Sequence, residues 1–295
     1  MSAGLLLKAF LSRRAGLAEG ATLPRLEARR EGARADLEKL ARYRSMCGFA
    51  DDGQLPLTFP QMLAGDLHLS LLADPRFPLP VAGIVHFENR IVQHSPLPSD
   101  GTYELFAFVE GHRADPRGLL FDLETRMSRG GRVVWEATTT VLWRPRSAER
   151  PATGRDSARR PAPVPTGLET RPLRTAVFSL PADLGRRYSA LAGDYNPIHL
   201  SALTAKPFGF KRAIIHGMWS LARCVSEMAD NLPPTPRVCT VRFERPVFLP
   251  GRVHLAVHAE DDGSGGLNFT LTSPDLRTRH VTGSVLGLAI TPAEG

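Results

Sequence analysis

Twice along this chain an apolar, helix-like stretch is followed by four strand-like runs, and that order constrains the fold more than any single motif. In the second half, "HGMWSLARCVSEMADNL" places Met218, Leu221, Ala222, Val225, Met228, Ala229 and Leu232 on one stripe at helical spacing. This predicts a helix buried along its length. "LPPTP" ends it, and "RVCTVRFERPVFL", "RVHLAVHAE", "LNFTLTS" and "HVTGSVLGLAI" read as strands, with "DDGSGG" and "SPDLRTR" as turns. In the first half, "LTFPQMLAGDLHLSLLAD" (57–74) carries Met62, Leu63, Leu67 and Leu71 roughly in helical phase. "GIVHFENRIVQ", "TYELFAFVEG", "GLLFDLETRMS" and "RVVWEATTTVLWR" follow as strands. One buried helix with four antiparallel strands is an α+β layout. Its recurrence, together with a Phe-Glu pair at Phe87 and again at Phe243, predicts a duplicated fold.

The two halves are separated by "PRSAERPATGRDSARRPAPVPT" (145–166), which has no apolar periodicity and reads as a linker, extended at its Pro-rich end. The expected organisation is a first repeat over 1–144, a linker over 145–172 and a second repeat over 173–295. With 42% hydrophobic and 23% charged residues, the chain can fill two cores. In the second repeat, "TAVFSL" (175–180) reads as a strand, Pro181 suits a first helical position, and Gly193 suits a helix stop.

Composition excludes several functions. The net charge of +7 comes with no nucleic-acid-binding motif, so nucleic acid is not an expected partner. The charge fits a solvated basic surface, or attraction to phosphorylated small molecules or an acidic carrier. Cys47, Cys224 and Cys239 are odd in number and none is in a CxxC pair, which predicts no disulfide framework or zinc site and fits a reducing cytoplasm. No apolar run reaches the roughly 18 residues of a membrane span, so membrane insertion is not expected. The N-terminal Arg pair follows its apolar run, the reverse of a secretory signal. His68, His86, His94, His112, His254 and His280 are scattered without metal-ligand spacing and read as structural.

One loop stands apart. "LAGDYNPIHL" (191–200) holds Asp194, Asn196, Pro197 and His199, and a His216–Gly217 pair follows seventeen residues after His199. On a continuous helix Asp194 and His199 would diverge by about 140°. Gly193 and Pro197 indicate that the helix has ended, so the two side chains can converge and hold one water between an acid and a base. The alternative is a surface Asx turn with an incidental histidine. His216 and Gly217 open the buried helix, where N–H groups lack internal partners and a glycine admits close approach. His216 itself reads as a pocket or positioning residue.

"YSALAGDYNPIHL" followed by "KRAIIHGMWS" resembles the MaoC-like dehydratases, the (R)-specific enoyl-CoA hydratases, whose signature is Asp-x-Asn-Pro-x-His with a later His-Gly-Met. The resemblance covers about 173–292 well, and 1–144 resembles the degenerate first repeat of two-repeat members. It implies a double hot-dog, two antiparallel sheets each wrapped around a helix, with one active site per chain. The chain would then suffice as a monomeric pseudo-dimer or dimerise further. Carried over, Asp194 and His199 hold and activate water, and the Gly217 N–H stabilises the thioester oxygen. Asn196 orients the loop, Pro197 turns His199 inward, and His216 and Met218 complete the motif. Some relatives bond the loop from a Ser or Asn on the buried helix. Here that position is Ala222, leaving the contact missing or taken by Ser220. Lys211, Arg212 and Arg237 are candidate contacts for phosphates of coenzyme A or a carrier arm. The implied reaction is reversible hydration of trans-2-enoyl thioesters in fatty acid metabolism. It uses no metal and no cofactor other than the coenzyme A or phosphopantetheine carried by the substrate, an acyl-CoA or acyl carrier protein thioester. A hot-dog thioesterase and a non-catalytic acyl-thioester-binding protein are the alternatives.

Overall fold

The computed structural model describes residues 14, 16–81, 84–144, 171–260 and 265–289. The linker segment expected at 145–166 lies outside them. The first repeat runs β1 (Leu26–Ala33), α1 (Leu37–Cys47), α2 (Phe59–Leu63), α3 (Gly65–Ala73), β2 (Ile84–Gln93), β3 (Tyr103–Val109), a short β4 (Arg113–Asp115), β5 (Gly118–Arg129) and β6 (Arg132–Trp143). The second runs β7 (Arg174–Leu180), α4 (Leu184–Ala192), α5 (Ala202–Ala205), α6 (Gly217–Glu227), β8 (Arg237–Phe243), β9 (Gly251–Ala259), β10 (Leu267–Thr272) and β11 (Arg279–Gly287).

Among the described residues all strands join one antiparallel sheet in the order β1-β3-β5-β6-β2-β8-β11-β10-β9-β7, with β4 on β5. Read outward from the β2–β8 seam, the two arms have the same order, which is the pseudo-two-fold of a duplicated chain. The two sheets expected from the sequence are therefore one, closed where Asn89 pairs with Val241 and Ile91 with Cys239. The Phe-Glu phrase does not mark this symmetry. A bulge between His86 and Glu88 turns Phe87 away from the core, where Leu120 and Leu142 cover it and Arg117 and Arg242 lie over its ring. Phe243 packs on the core side, against His86 and Gly217. Duplication holds on element order, and the two phenylalanines are not equivalent.

The helices depart from the predicted spans for local reasons. The stretch at 57–74 breaks at Ala64, just before Gly65, a poor helix former. Helix α6 stops at Glu227 and Ala229 is exposed, so the apolar stripe outlasts the helix. Pro233 and Pro234 follow shortly, and the residue before a proline avoids the α conformation. Helix α4 begins at Leu184 with Asp183 as N-cap, three residues after Pro181.

Helix α1 has no counterpart in the sequence reading, and it completes the symmetry. It ends at Gly48 in the left-handed conformation (φ 84°), as α4 ends at Gly193 (φ 76°). The loop after Gly48 bears Asp51 and Asp52, which pair with the buried Arg44, and has no histidine. Across the repeats, Arg223 Nη1 donates to the Cys47 carbonyl at 2.8 Å and Trp219 Nε1 to the Met46 carbonyl at 3.3 Å. On α6, Leu221, Ala222 and Val225 are fully buried in the same apolar cluster as Val241 and Val281.

Candidate active site

The Asp194–His199 loop is built by three successive stops. Gly193 ends α4, and a left-handed residue there lets the chain leave the helix axis. Asp194 Oδ1 then accepts from the Asn196 N–H at 3.1 Å, and Asn196 Oδ1 accepts from the Ile198 N–H at 3.4 Å. Pro197 opens a single 3-10 turn, Pro197–His199, with Asn196 as its cap. Thr204 Oγ1 donates to the Pro197 carbonyl at 2.7 Å and holds this turn from α5. Asn196 thus caps the turn that Pro197 opens, and the two set its backbone.

The turn brings the acid and the imidazole together. His199 Nε2 lies 4.0 Å from Asp194 Oδ2, and His199 Nδ1 donates to the Ile214 carbonyl at 2.8 Å. A carbonyl can only accept, so Nδ1 carries the proton and Nε2 presents a lone pair. His216 Nε2 donates to the Asp194 carbonyl at 3.1 Å and lies 3.7 Å from Asp194 Oδ2, with Ser189 Oγ at 3.5 Å. The His199 and His216 rings stack at 3.6 Å, and Tyr188 packs on His216. His216 thus fastens the loop to the start of α6. Ser220 does not take over the missing loop contact: its hydroxyl bonds back to the His216 carbonyl at 3.5 Å, within its own helix.

The Asp194 side chain is 52% exposed, onto the cavity; its enclosure by the surrounding protein pushes the carboxyl up, but the two imidazoles and the Asn196 N–H outweigh this and hold the acid below its ordinary value. Burial pulls His199 and His216 down, and Asp194 offsets this only in part. At neutral pH the trio is one carboxylate with two neutral imidazoles. Its donor atoms lie within 4.8 Å of one another, the spread of a three-ligand metal site. His216 Nε2, the nitrogen beside the Asp194 carboxylate, donates to the Asp194 carbonyl, however, and so has no lone pair for an ion.

A cavity of about 410 Å³ opens in front of the trio, and both repeats line it. From the second repeat come Asp194, Asn196, His199, His216, Gly217, Met218 and Ser220. A Cβ on Gly217 would stand 3.0–3.1 Å from the Phe243 ring, so the glycine keeps both the helix start and that ring in place. A Cβ on Gly185 would fall on the His199 carbonyl oxygen, so α4 and the loop can touch only through a glycine. The sequence reading passes over Gly185 and Ile214, which act through the backbone, and Ser189, whose hydroxyl meets His216; none belongs to a motif.

Lys211, Arg212 and Arg237 do not line the cavity. Arg237 is held at the far end of β8 by the Gln93 side chain and the Pro233 carbonyl, and Arg212 by the Pro250 carbonyl over Phe248. Lys211 is exposed on the surface. The arginines that do line it are Arg117, Arg144 and Arg245. His68 and His86, read from sequence as scattered structural histidines, line it too.

Two such repeats sharing one sheet, with one Asp–His loop against a helix start, define a double hot-dog protein with a candidate active site in its second repeat. The family model described as MaoC like domain matches residues 156–272. The 3-hydroxyacyl-thioester dehydratase X of Mycobacterium tuberculosis is 34% identical over 253 residues, 86% of each chain. The crystal structure of HtdX from Mycobacterium tuberculosis superposes with a TM-score of 0.75 at 32% identity, covering 89% of this chain and 100% of that one. A MaoC-like dehydratase from Phytophthora capsici shares the fold at a TM-score of 0.68 and 21% identity, over 92% and 98% of the two chains. The chain belongs to the MaoC-like dehydratase family.

Proposed function

We propose that this chain is a hydro-lyase that reversibly adds water to trans-2-enoyl thioesters, giving (R)-3-hydroxyacyl thioesters in fatty acid metabolism. The observation that carries it is the 4.0 Å separation of Asp194 Oδ2 and the His199 Nε2 lone pair. Both are acceptors, so they cannot bond each other. One water can donate a hydrogen to each, which aligns its oxygen as a nucleophile and provides a base for its proton.

In the hydration direction the water oxygen attacks C3 of the enoyl group and its proton passes to the Asp194/His199 pair. The double-bond electrons move through C2 to the thioester oxygen. There the developing charge meets the Gly217 N–H, one of the first helix N–H groups, which have no partner within α6. Collapse of the enolate takes the proton back at C2. Dehydration runs the same steps in reverse. Asn196 and Pro197 shape the loop, His216 holds the Asp194 backbone, and Met218 contacts Asn89 of the first repeat at 3.8 Å.

The substrate's carrier is coenzyme A or an acyl carrier protein arm, and Arg144 and Arg245 at the cavity are the better candidates for its phosphates, while Arg117 there is held by Asp115. One covalent chain supplies both cavity walls, so a monomer is sufficient. The three cysteines are free, buried thiols, which supports a reducing cytoplasm. No helix among the described residues is long and apolar enough to cross a membrane.

Hydration of a crotonyl thioester, followed by loss of enone absorbance, tests the reading. Asp194→Asn and His199→Ala should each lower kcat/KM by roughly 10²–10⁴-fold. Near-normal turnover in both variants would sink the assignment, and release of free thiol would indicate a thioesterase.

A further inference from the structure

One wall of the cavity is polar, and the side chains that make it so come from the first repeat. Gln61 on α2, His68 on α3, His86 on β2 and Thr139 on β6 line it, with Asn89 and Thr125 behind. Thr139 Oγ1 accepts from Gln61 Nε2 at 2.8 Å and from Asn89 Nδ2 at 3.1 Å. Among the described residues, the carbonyl oxygens of both amides are buried without a partner, and Asn89 is only 2% exposed. Turning either amide over strands its nitrogen instead, so each keeps one unpartnered end shut off behind the lining, while the Thr139 hydroxyl has both lone pairs engaged and keeps its own hydrogen to give. His68 and His86 are held neutral, both pulled down to about 4 by burial, so each can give or take a hydrogen bond without charge. The matching strands of the second repeat carry Cys239, Val241, Val281 and Val285, all apolar and buried. A tunnel meant only for hydrocarbon needs none of the first repeat's polar groups.

Resting on the enoyl-thioester reading, we propose that this wall selects acyl chains bearing a hydroxyl group at mid-chain. His86 packs on Phe243 at 4.7 Å, and Phe243 packs on Gly217, which places His86 at the thioester end. Thr139 pairs with Asn89, whereas His86 pairs with Val141. Asn89 Nδ2 lies 3.2 Å from His86 Nε2 and 3.1 Å from Thr139 Oγ1, so the Thr139 hydroxyl stands within about 6 Å of His86, a few carbons along the acyl chain. A hydroxyl there can accept from the Thr139 hydroxyl and donate to an imidazole nitrogen. The first repeat, which lost the catalytic pair, thus reads the substrate.

The test uses two trans-2-enoyl-CoA substrates of equal length, one plain alkyl and one with a mid-chain hydroxyl. They are compared on the wild type, the Gln61→Leu/Thr139→Val double variant and Thr139→Ser. The wild type should favour the hydroxylated chain by about tenfold or more in kcat/KM, the worth of one hydrogen bond. The double variant should lose or reverse this preference while still hydrating crotonyl-CoA, and Thr139→Ser should keep it. An alkyl preference in the wild type, or an unchanged preference in the double variant, overturns the proposal and leaves the wall merely solvated. If no enoyl thioester is hydrated, the hydratase reading has failed. Calorimetric binding of the same two thioesters to the wild type then decides the selectivity separately: tighter binding of the hydroxylated chain supports it, and equal or weaker binding ends it.

Discussion

His199 Nδ1 donates to the Ile214 carbonyl at 2.8 Å, and that bond fixes which nitrogen of the ring faces Asp194. With Nδ1 protonated, the base at Nε2 is available whenever the ring is neutral. Burial keeps it neutral to lower pH than a free histidine.

The first prediction concerns that ring's titration. Its pKa lies below the ordinary 6.5, so the acid limb of kcat/KM should fall below pH 6.5. Asp194 is the influence that raises it, so Asp194→Asn should move the His199 titration lower still. Ring-proton NMR reads both, independently of activity. A titration at or above 6.5 in the wild type would contradict the buried, neutral base.

Gly185→Ala should damage catalysis from outside the motif. The added Cβ meets the His199 carbonyl oxygen and comes within 3.2 Å of Leu249 Cδ1, so the loop must shift away from α4. Because small misplacements of reacting groups are costly, kcat should drop roughly 10–100-fold. Circular dichroism should remain native-like. Unchanged kcat would show that the loop is not held at this contact.

Gly217→Ala presses on Phe243 at 3.0–3.1 Å and should lower kcat. Shortening the ring residue relieves that contact, so adding Phe243→Leu should restore part of the loss. If the pair is no better than Gly217→Ala alone, the crowding at this ring is not what limits the first variant.

Acid should destabilise the fold through the first repeat's wall. His68 and His86 titrate near 4 when folded, and an unfolded histidine near 6.5. Their contribution to stability is complete above pH 6.5 and is lost as pH falls toward 4. Each adds a slope of about 1.4 kcal/mol per pH unit in that window. Urea unfolding at pH 6.5 and pH 5 should therefore show a drop that His68→Gln reduces by about 2 kcal/mol. An equal drop in that variant would place the acid sensitivity elsewhere.

Much of the site was legible because it is local. Gly193, Asp194, Asn196, Pro197 and His199 lie within seven residues, and each shapes the backbone of the next. The stop at Gly193 and the turn at Pro197 follow from φ preferences that are properties of the residues themselves. Gly185 and Ile214 are silent in the sequence, because what they supply is the absence of a side chain and a backbone carbonyl. The same limit applies to Arg212 and Arg237: charge is visible in a sequence, but not the Pro250 or Gln93 oxygen that each one meets.

Order and periodicity, which are carried along the chain, determined the duplicated α+β layout and the second repeat as bearer of the Asp–His loop. Only the tertiary structure decided that the two sheets fuse at β2–β8, that a bulge sends Phe87 outward and keeps His86 inward, and that the first repeat's polar side chains face the second repeat's loop across one cavity. These depend on register between strands about 150 residues apart. Shifting that register by one residue would exchange every inward side chain for an outward one, and nothing local in the sequence fixes it.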